Sequence, residues 1–416
     1  MTWRRDTVSV HRFVLNCVGI WPMEETSLFM DLRWLIAVIL EAETNFGQEI
    51  SVLSRTHRLA RERPTDFTAI FQVTPMCVYF TEIYLHCNGA KESFDTVTPG
   101  AAAVLAVTRL ITPRIHRREL LEVVTSTMDD WATQRDKRVR GVMKKYAALS
   151  TRVTTFTFFL VGVIVGVYIF MAISVVTAKA GDHEIENVTA SRETEEMSLS
   201  CVFRGESTRR AFMVVQAMQM FVTGMLTFGT TSFFFGLAMH LCSQFDALCI
   251  QLSDLRVEEA RHAIAGAVER HCHLIRMADC MEESFHANVF IYLFVTTTLM
   301  CIDGFMLIVS LKVSDMPMII HNASVLLLMM IQLSFYTFAG DCLEMRSAAL
   351  SYATYDCDWH ELPASTAKDI RFILMRASIP HQLTAGKFVV MNMLTFKSIL
   401  KSTASYLSVL RVMLDE

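Results

Sequence analysis

Apolar residues in this chain gather into charge-free runs longer than the core of a soluble domain requires. Four stand out, at residues 153–178, 211–245, 284–311 and 316–340, the third interrupted at Asp303. As helices rising 1.5 Å per residue, each can cross roughly 30 Å of hydrocarbon. The run at 211–245 exceeds one bilayer, so its end, around Leu237–Leu252, is expected to continue as a helix beyond the membrane. Three further runs are weaker: residues 34–40 lead straight into Glu41 and Glu43, residues 67–81 are short, and the last segment carries Lys397 and Lys401. Hydropathy alone leaves the number of spans open.

A different pattern occupies residues 246–281. Leu248, Leu252, Leu255, Ile264, Val268, Ile275 and Ala278 recur at spacings near three and four, interleaved with Asp254, Glu258, Glu259 and Arg261. That predicts amphipathic helices outside the bilayer. Together with residues 354–378 they form either a bundle against neighbouring subunits or a solvated hairpin.

Composition agrees with a polytopic membrane protein. Of 416 residues, 52% are hydrophobic and 19% charged, with 28 Phe and 26 Met, too apolar for ordinary soluble domains. The net charge of -4 gives no reason to expect nucleic acid. The start, Met1-Thr-Trp-Arg-Arg-Asp6, lacks the apolar core of a signal peptide, so none is expected. Cysteines scattered through apolar runs read as small buried residues rather than a disulfide framework.

Lys and Arg set the expected orientation. With a cytosolic N-terminus, the segments 1–28, 88–146, 243–284 and 341–385 fall inside and hold twice as many basic residues as the opposite loops. Arg55, Arg58, Arg61 and Arg63 are the exception, in a loop this places outside. The loop from Thr177 to Arg210 is acidic and carries the sequon Asn187-Val188-Thr189, which suits an extracellular position and makes Asn187 a glycosylation candidate. A second sequon, at Asn322, lies within an apolar run and is not expected to be modified.

Catalytic motifs are missing. The chain has no Gly-x-Ser-x-Gly, no phosphate-binding loop and no His-Glu-x-x-His, so neither an enzyme nor a cofactor is expected. His271-Cys272-His273 with Cys280 lacks the second ligand pair of a zinc site, which favours a His-rich surface helix over a metal site. Glu41, Glu82 and Asp303 would be costly against lipid, so they should face the bundle interior or stand at helix ends. A G-protein-coupled receptor would carry Asp-Arg-Tyr and Asn-Pro-x-x-Tyr, and a secondary transporter an internal repeat; neither pattern is present.

The C-terminal region is the most distinctive. Tyr352-Ala-Thr-Tyr355-Asp-Cys-Asp-Trp359 leads through a polar helix to Pro380-His-Gln-Leu383-Thr-Ala-Gly386-Lys-Phe388 and ends on Ser405-Tyr406-x-Ser408-x-Leu410. This combination resembles the insect odorant receptor family. Gly19-Ile-Trp21-Pro22 and Met128-Asp-Asp-Trp131 also fit. The resemblance implies an all-α fold of seven transmembrane helices with a cytosolic N-terminus and a helical intracellular anchor region. It divides the chain into helices one to six over residues 1–340, anchor helices over 341–385 and a pore-lining seventh helix over 386–416. The implied function is an odorant- or pheromone-gated non-selective cation channel, assembled as a heterotetramer with a shared coreceptor in the plasma membrane of the olfactory neuron dendrite. A gustatory-type channel of the same fold is the alternative, and a G-protein-coupled receptor a more distant one. The short loop between helices four and five points to the ligand-specific subunit rather than the coreceptor.

A small, volatile, apolar ligand needs dispersion contacts and few polar groups. Candidates in the outer halves of four spans are Phe71, Thr74 and Val78; Val163, Gly166 and Phe170; Met213, Gln216 and Met220; and His321, Asn322 and Val325. Ordinary interhelical packing is an equal reading for each. The family pattern places Val409, three residues after Tyr406, where a ring of apolar side chains closes the pore, with Leu410 and Val412 beside it. A narrow apolar ring sheds water and blocks ions until it widens. Thr384–Gly386 is expected to act as a flexible joint before the pore helix, with Lys397 and Lys401 snorkelling toward water.

Overall fold

A computed structural model describes residues 90–181, 206–254 and 260–415. The weak runs at 34–40 and 67–81, the candidates Phe71, Thr74 and Val78, the acids Glu41 and Glu82, and the sequon at Asn187 lie outside those residues. What is described is almost wholly helical. In chain order the helices are α1 (Ala90–Ile115), α2 (Arg117–Thr133), α3 (Lys137–Gly181), α4 (Glu206–Ser253), α5 (Ala260–Val313), α6 (Met316–Asp356), α7 (Ala364–Ala377) and α8 (Met393–Asp415). A single turn of 3₁₀ helix, Trp359–Glu361, precedes α7, and two short strands, β1 (Thr384–Ala385) and β2 (Val389–Val390), precede α8.

Among the described residues, four helical stretches are long and apolar enough to cross a membrane: Lys137–Val163, Phe221–Ser253, Arg261–Val313 and Met316–Asp356. They overlap the four strong runs in the sequence, and each parent helix is longer than a bilayer needs. The 54 residues of α5 make a rod of about 80 Å, so some 50 Å of it lies beyond the hydrocarbon. The polar periodicity at residues 246–281 belongs to these continuations.

The described chain divides into two compact units. One holds Thr112–Thr155 and the residues from Thr231 onward; the other holds the residues up to Ile111 and Phe156–Thr230. Within the second, α3 and α4 run close enough that a Cβ on Gly224 would stand 3.7 Å from the Val161 side chain.

The first unit has an aromatic centre. Phe234 on α4 meets Phe285 on α5 and Tyr336 on α6 with ring centroids 5.1 and 5.0 Å apart, and Tyr292 lies 5.1 Å from Tyr336. Gln332 donates to the Thr231 hydroxyl at 2.8 Å, which satisfies two polar side chains that burial would otherwise penalise. Asp303 is buried on α5, away from the lipid, as a carboxyl at that depth requires.

Along α5 the buried stripe is Ile264, Ala267, His271, Leu274, Met277, Ala278 and Met281. It agrees with the expected face at Ile264 and Ala278 and is rotated from it elsewhere, since Val268 and Ile275 are only half-buried. The difference arises because α2 lays Leu120, Val123 and Val124 against α5 and so selects which side is covered. His271 is buried rather than a surface residue, and the His273 ring is 2.8 Å from the Ser126 hydroxyl.

Polar ties lock the same end. Asp130 takes Nη2 of Arg270 at 2.7 Å and Nε2 of His240 at 3.0 Å, and Arg270 also donates to Gln244 at 2.8 Å. One carboxylate thus joins α2, α4 and α5. Burial opposes ionisation of Asp130, but the hydrogen bonds from His240 and Arg270 outweigh it, so its carboxyl is held below the usual range. Asp246 on α4 accepts from the Tyr146 hydroxyl of α3 at 2.6 Å and lies 3.5 Å from Arg346 of α6.

Two expectations near the C-terminus are corrected. The polar helix over 354–378 is broken: α6 ends at Asp356 and α7 starts at Ala364, after Pro363, because the residue before a proline disfavours helix and proline lacks the amide to continue one. The last helix begins at Met393 rather than Gly386, because residues 384–390 form a hairpin pairing Thr384 with Val390 and Ala385 with Val389.

Candidate functional site

The site is built on α8 and the hairpin that seats it. Phe396, Leu400, Leu407 and Leu410 are half-buried and Thr403 buried, at spacings of three and four that make one stripe facing α5 and α6. A Cβ on Gly304 of α5 would come 2.6 Å from a Leu407 methyl carbon, so the missing side chain there admits α8. The other side carries Lys397, Lys401, Ser405, Tyr406, Ser408, Val409 and Val412, all exposed, Val409 and Val412 each at 59%. Of the four residues expected at the gate, Tyr406, Val409 and Val412 therefore stand on the open side and Leu410 on the packed one. An amphipathic helix whose open side mixes serine hydroxyls with valine can border water without losing its attachment to the bundle.

The start of α8 is pinned. Asn392 accepts from the Thr395 amide at 3.0 Å as an N-cap, and Asp341 of α6 lies 3.4 Å from the Met393 amide. Two of the orphan amides of the first turn gain partners, and a carboxylate sits at the positive end of the helix dipole.

The hairpin is equally held, which corrects the expectation of a flexible joint at Thr384–Gly386. Gly386 donates its amide to the His286 carbonyl at 2.9 Å, and the Thr384 hydroxyl donates to Glu282 at 2.6 Å. Lys387 reaches Glu283 at 2.8 Å; that carboxylate holds the lysine ammonium above its ordinary range. Gly386 and Lys387 both have positive φ, +63° and +64°, which tight hairpin turns use to match strand twist. The Phe290 ring leaves no space for a Cβ at residue 386, so glycine is required twice over. His381, just before the hairpin, is half-buried between α5 and α6, its amide donating to Ser347 at 2.9 Å. Burial lowers the His381 pKa; Asp279 and Glu282 oppose that shift and Arg376 adds to it.

The expected ligand-pocket residues are placed in pieces. His321, Asn322 and Val325 start α6, with Asn322 buried and its amide 3.5 Å from the Ser310 hydroxyl. Val163 and Gly166 are exposed on α3, and Phe170, Met213, Gln216 and Met220 belong to α3 and α4. Sequence reasoning missed Gly304, Gly340, Asp341 and Asn392. For Gly304 and Gly340 the signal was present as isolated glycines inside apolar helices, where each costs about 1 kcal/mol relative to alanine and so points to a close approach.

These elements define a multi-pass helical membrane protein with a C-terminal helix docked on two long spans. Residues 89–404 match the family model described as 7tm Odorant receptor, and the chain belongs to that family, whose members are receptors. It is 27% identical over 156 residues to Odorant receptor 22c of Drosophila melanogaster, covering 38% of each chain. With Odorant receptor 47a of the same organism it shares 25% identity over 141 residues, 32% of this chain and 36% of the relative. The similarity thus spans well under half the length of these two relatives. Among solved structures, the insect olfactory receptor OR5 from Machilis hrabei in complex with eugenol superposes with a TM-score of 0.69, over 98% of this chain and 100% of that one, at 11% identity. A second structure of the same receptor gives 0.67, over 92% and 98%, at 12% identity. The fold is therefore the insect olfactory receptor fold.

Proposed function

We propose that this chain is a ligand-specific odorant receptor subunit that forms an odorant-gated, non-selective cation channel with a shared coreceptor in the plasma membrane of an olfactory neuron dendrite. The observation that carries this reading is the two-sidedness of α8. One stripe is committed to α5 and α6, while Tyr406, Val409 and Val412 are more than half exposed among the described residues, as expected of side chains that meet their counterparts from other subunits around an axis. Four such faces, contributed by this chain and the coreceptor, enclose a conduit in which Val409 is this chain's part of the gate and Val412 its neighbour, with Leu410 anchoring the helix behind them. A ring of this kind excludes water when narrow and conducts when it widens.

The ligand would be small, volatile and apolar, held by the candidates on α3, α4 and the start of α6. Binding that favours a wider arrangement shifts the population toward it. The hairpin joins α8 rigidly to α5 through Gly386 and Glu282, so movement of the long helices would be passed to the pore helix. Co-expression tests the proposal: a panel of volatiles is applied to cells carrying this chain alone, the coreceptor alone, or both. Odorant-evoked cation current only with both is expected. Full current from this chain alone would overturn the heteromer, and a second-messenger response without current would overturn the channel.

A further inference from the structure

A cationic band on α3 takes no part in the function proposed above. In 45 residues, Lys137–Gly181, this helix contains no Asp or Glu, yet its first five turns hold Lys137, Arg138, Arg140, Lys144, Lys145 and Arg152. Arg138 is engaged by Asp254 at the end of α4. Arg140, Lys144, Lys145 and Arg152 are all exposed and have no carboxylate partner among the described residues. At 100° per residue they fall within an arc of about 140°. The opposite arc, Val139, Met143, Ser150 and Thr154, is buried.

The character of the exposed arc changes abruptly along the helix. Leu149, Phe156, Phe159 and Val163 continue it and are also exposed, so cations give way to large apolar side chains within one turn of Arg152. That transition is expected where a helix passes from the headgroup layer into hydrocarbon. Arg152 then stands at phosphate level, while Lys145 lies about 10 Å and Arg140 about 18 Å further out. A single ester phosphate meets only Arg152, whereas ring phosphates on the headgroup stand further out toward Lys145, and the long side chains of Lys144 and Arg140 reach back toward them.

We propose that Arg140, Lys144, Lys145 and Arg152 form a binding site for anionic phospholipid, with a polyphosphoinositide the best-fitting headgroup. The acyl chains lie along Phe156 and Phe159, and the phosphates meet the basic band. Juxtamembrane lysines and arginines each strengthen such binding by about fivefold.

The test uses the full chain purified in neutral detergent and a fluorescent dioctanoyl phosphatidylinositol bisphosphate. Unlabelled dioctanoyl lipids, free inositol trisphosphate and polyglutamate serve as competitors. Saturable binding is expected, competed by the phosphoinositide and less well by phosphatidylserine, and weakened by salt. K145Q should lower affinity about fivefold and R140Q/K144Q/K145Q/R152Q by about several hundredfold, while K144R/K145R should leave it unchanged. Equal competition by phosphatidylcholine, or undiminished binding by the glutamine variants, would overturn the site. Inositol trisphosphate competing as well as the lipid would assign a soluble phosphate instead, and polyglutamate doing so would assign an acidic polypeptide; either result refutes the lipid. If the fourfold variant is not monodisperse, K145Q against K144R/K145R decides on its own.

Discussion

The carbonyl of Met391 occupies the place where a side chain on Gly340 would have to stand. α6 thus presents bare backbone to the hairpin at the one point where the chain turns into α8, and Asp341, the next residue, reaches the first amide of that helix. The position of α8 is set by this approach.

Gly340→Ala should therefore be damaging beyond its size. The obstacle is backbone, which cannot rotate away, so either the hairpin or α6 must shift, at a cost of about 1–3 kcal/mol. Thermal unfolding in detergent should show a lower midpoint for Gly340→Ala than for Gly304→Ala, where the neighbour is the mobile tip of Leu407. Equal midpoints would refute the packing argument.

Removing the N-cap of α8 should also be measurable. Asn392→Ala is expected to cost about 1 kcal/mol, and Asn392→Asp close to nothing, because an aspartate accepts the same amide and suits the helix dipole. The comparison of the two midpoints checks it.

Asp130 gives an acid-side dependence. Its carboxyl pKa is lower folded than unfolded, so its contribution is present above the unfolded value near 3.9 and is lost as pH falls through the folded one. Asp130→Asn takes the carboxylate away from both Arg270 and His240, leaving Arg270 its bond to Gln244, with an expected loss of about 1–3 kcal/mol at neutral pH. The variant should also lose part of the wild-type fall in stability below about pH 4, read from midpoints across pH.

His381 acts in a higher window. Its folded pKa is depressed by burial, so the unfolded chain binds the proton more readily and stability falls as pH drops from about 6.5 toward the folded value. His381→Gln should flatten that part of the profile while leaving the Asp130 part intact. A wild-type profile already flat between about pH 6.5 and 5 would refute it.

Val409→Ser should raise basal current or alter block in cells that also express the coreceptor, since a hydroxyl lets a narrow ring wet. Leu410→Ser should act differently, lowering the amount of folded protein, because Leu410 belongs to the packed stripe. Surface expression and current measured together separate the two.

The strong spans were legible because charge-free runs of that length have few alternatives, and the C-terminal signature was legible as residues. The hairpin was not. Thr384-Ala-Gly-Lys-Phe388 reads as a loose joint until His286, Glu282 and Phe290 of α5, roughly a hundred positions earlier, are brought beside it. Asp130 likewise reads as one acid in Met128-Asp-Asp-Trp131, and only folding brings His240 and Arg270 to it.

By itself the sequence determined that this is a polytopic helical membrane protein, since local hydropathy and helical periodicity act between near neighbours along the chain. It also marked the C-terminal segment, through the family signature. Only the tertiary structure decided where α8 starts, which side of it is open, and that the segment before it is held by α5 and α6. Those outcomes depend on contacts between distant residues, where the absence of a single Cβ at Gly340 or Gly386 determines how closely two backbones approach.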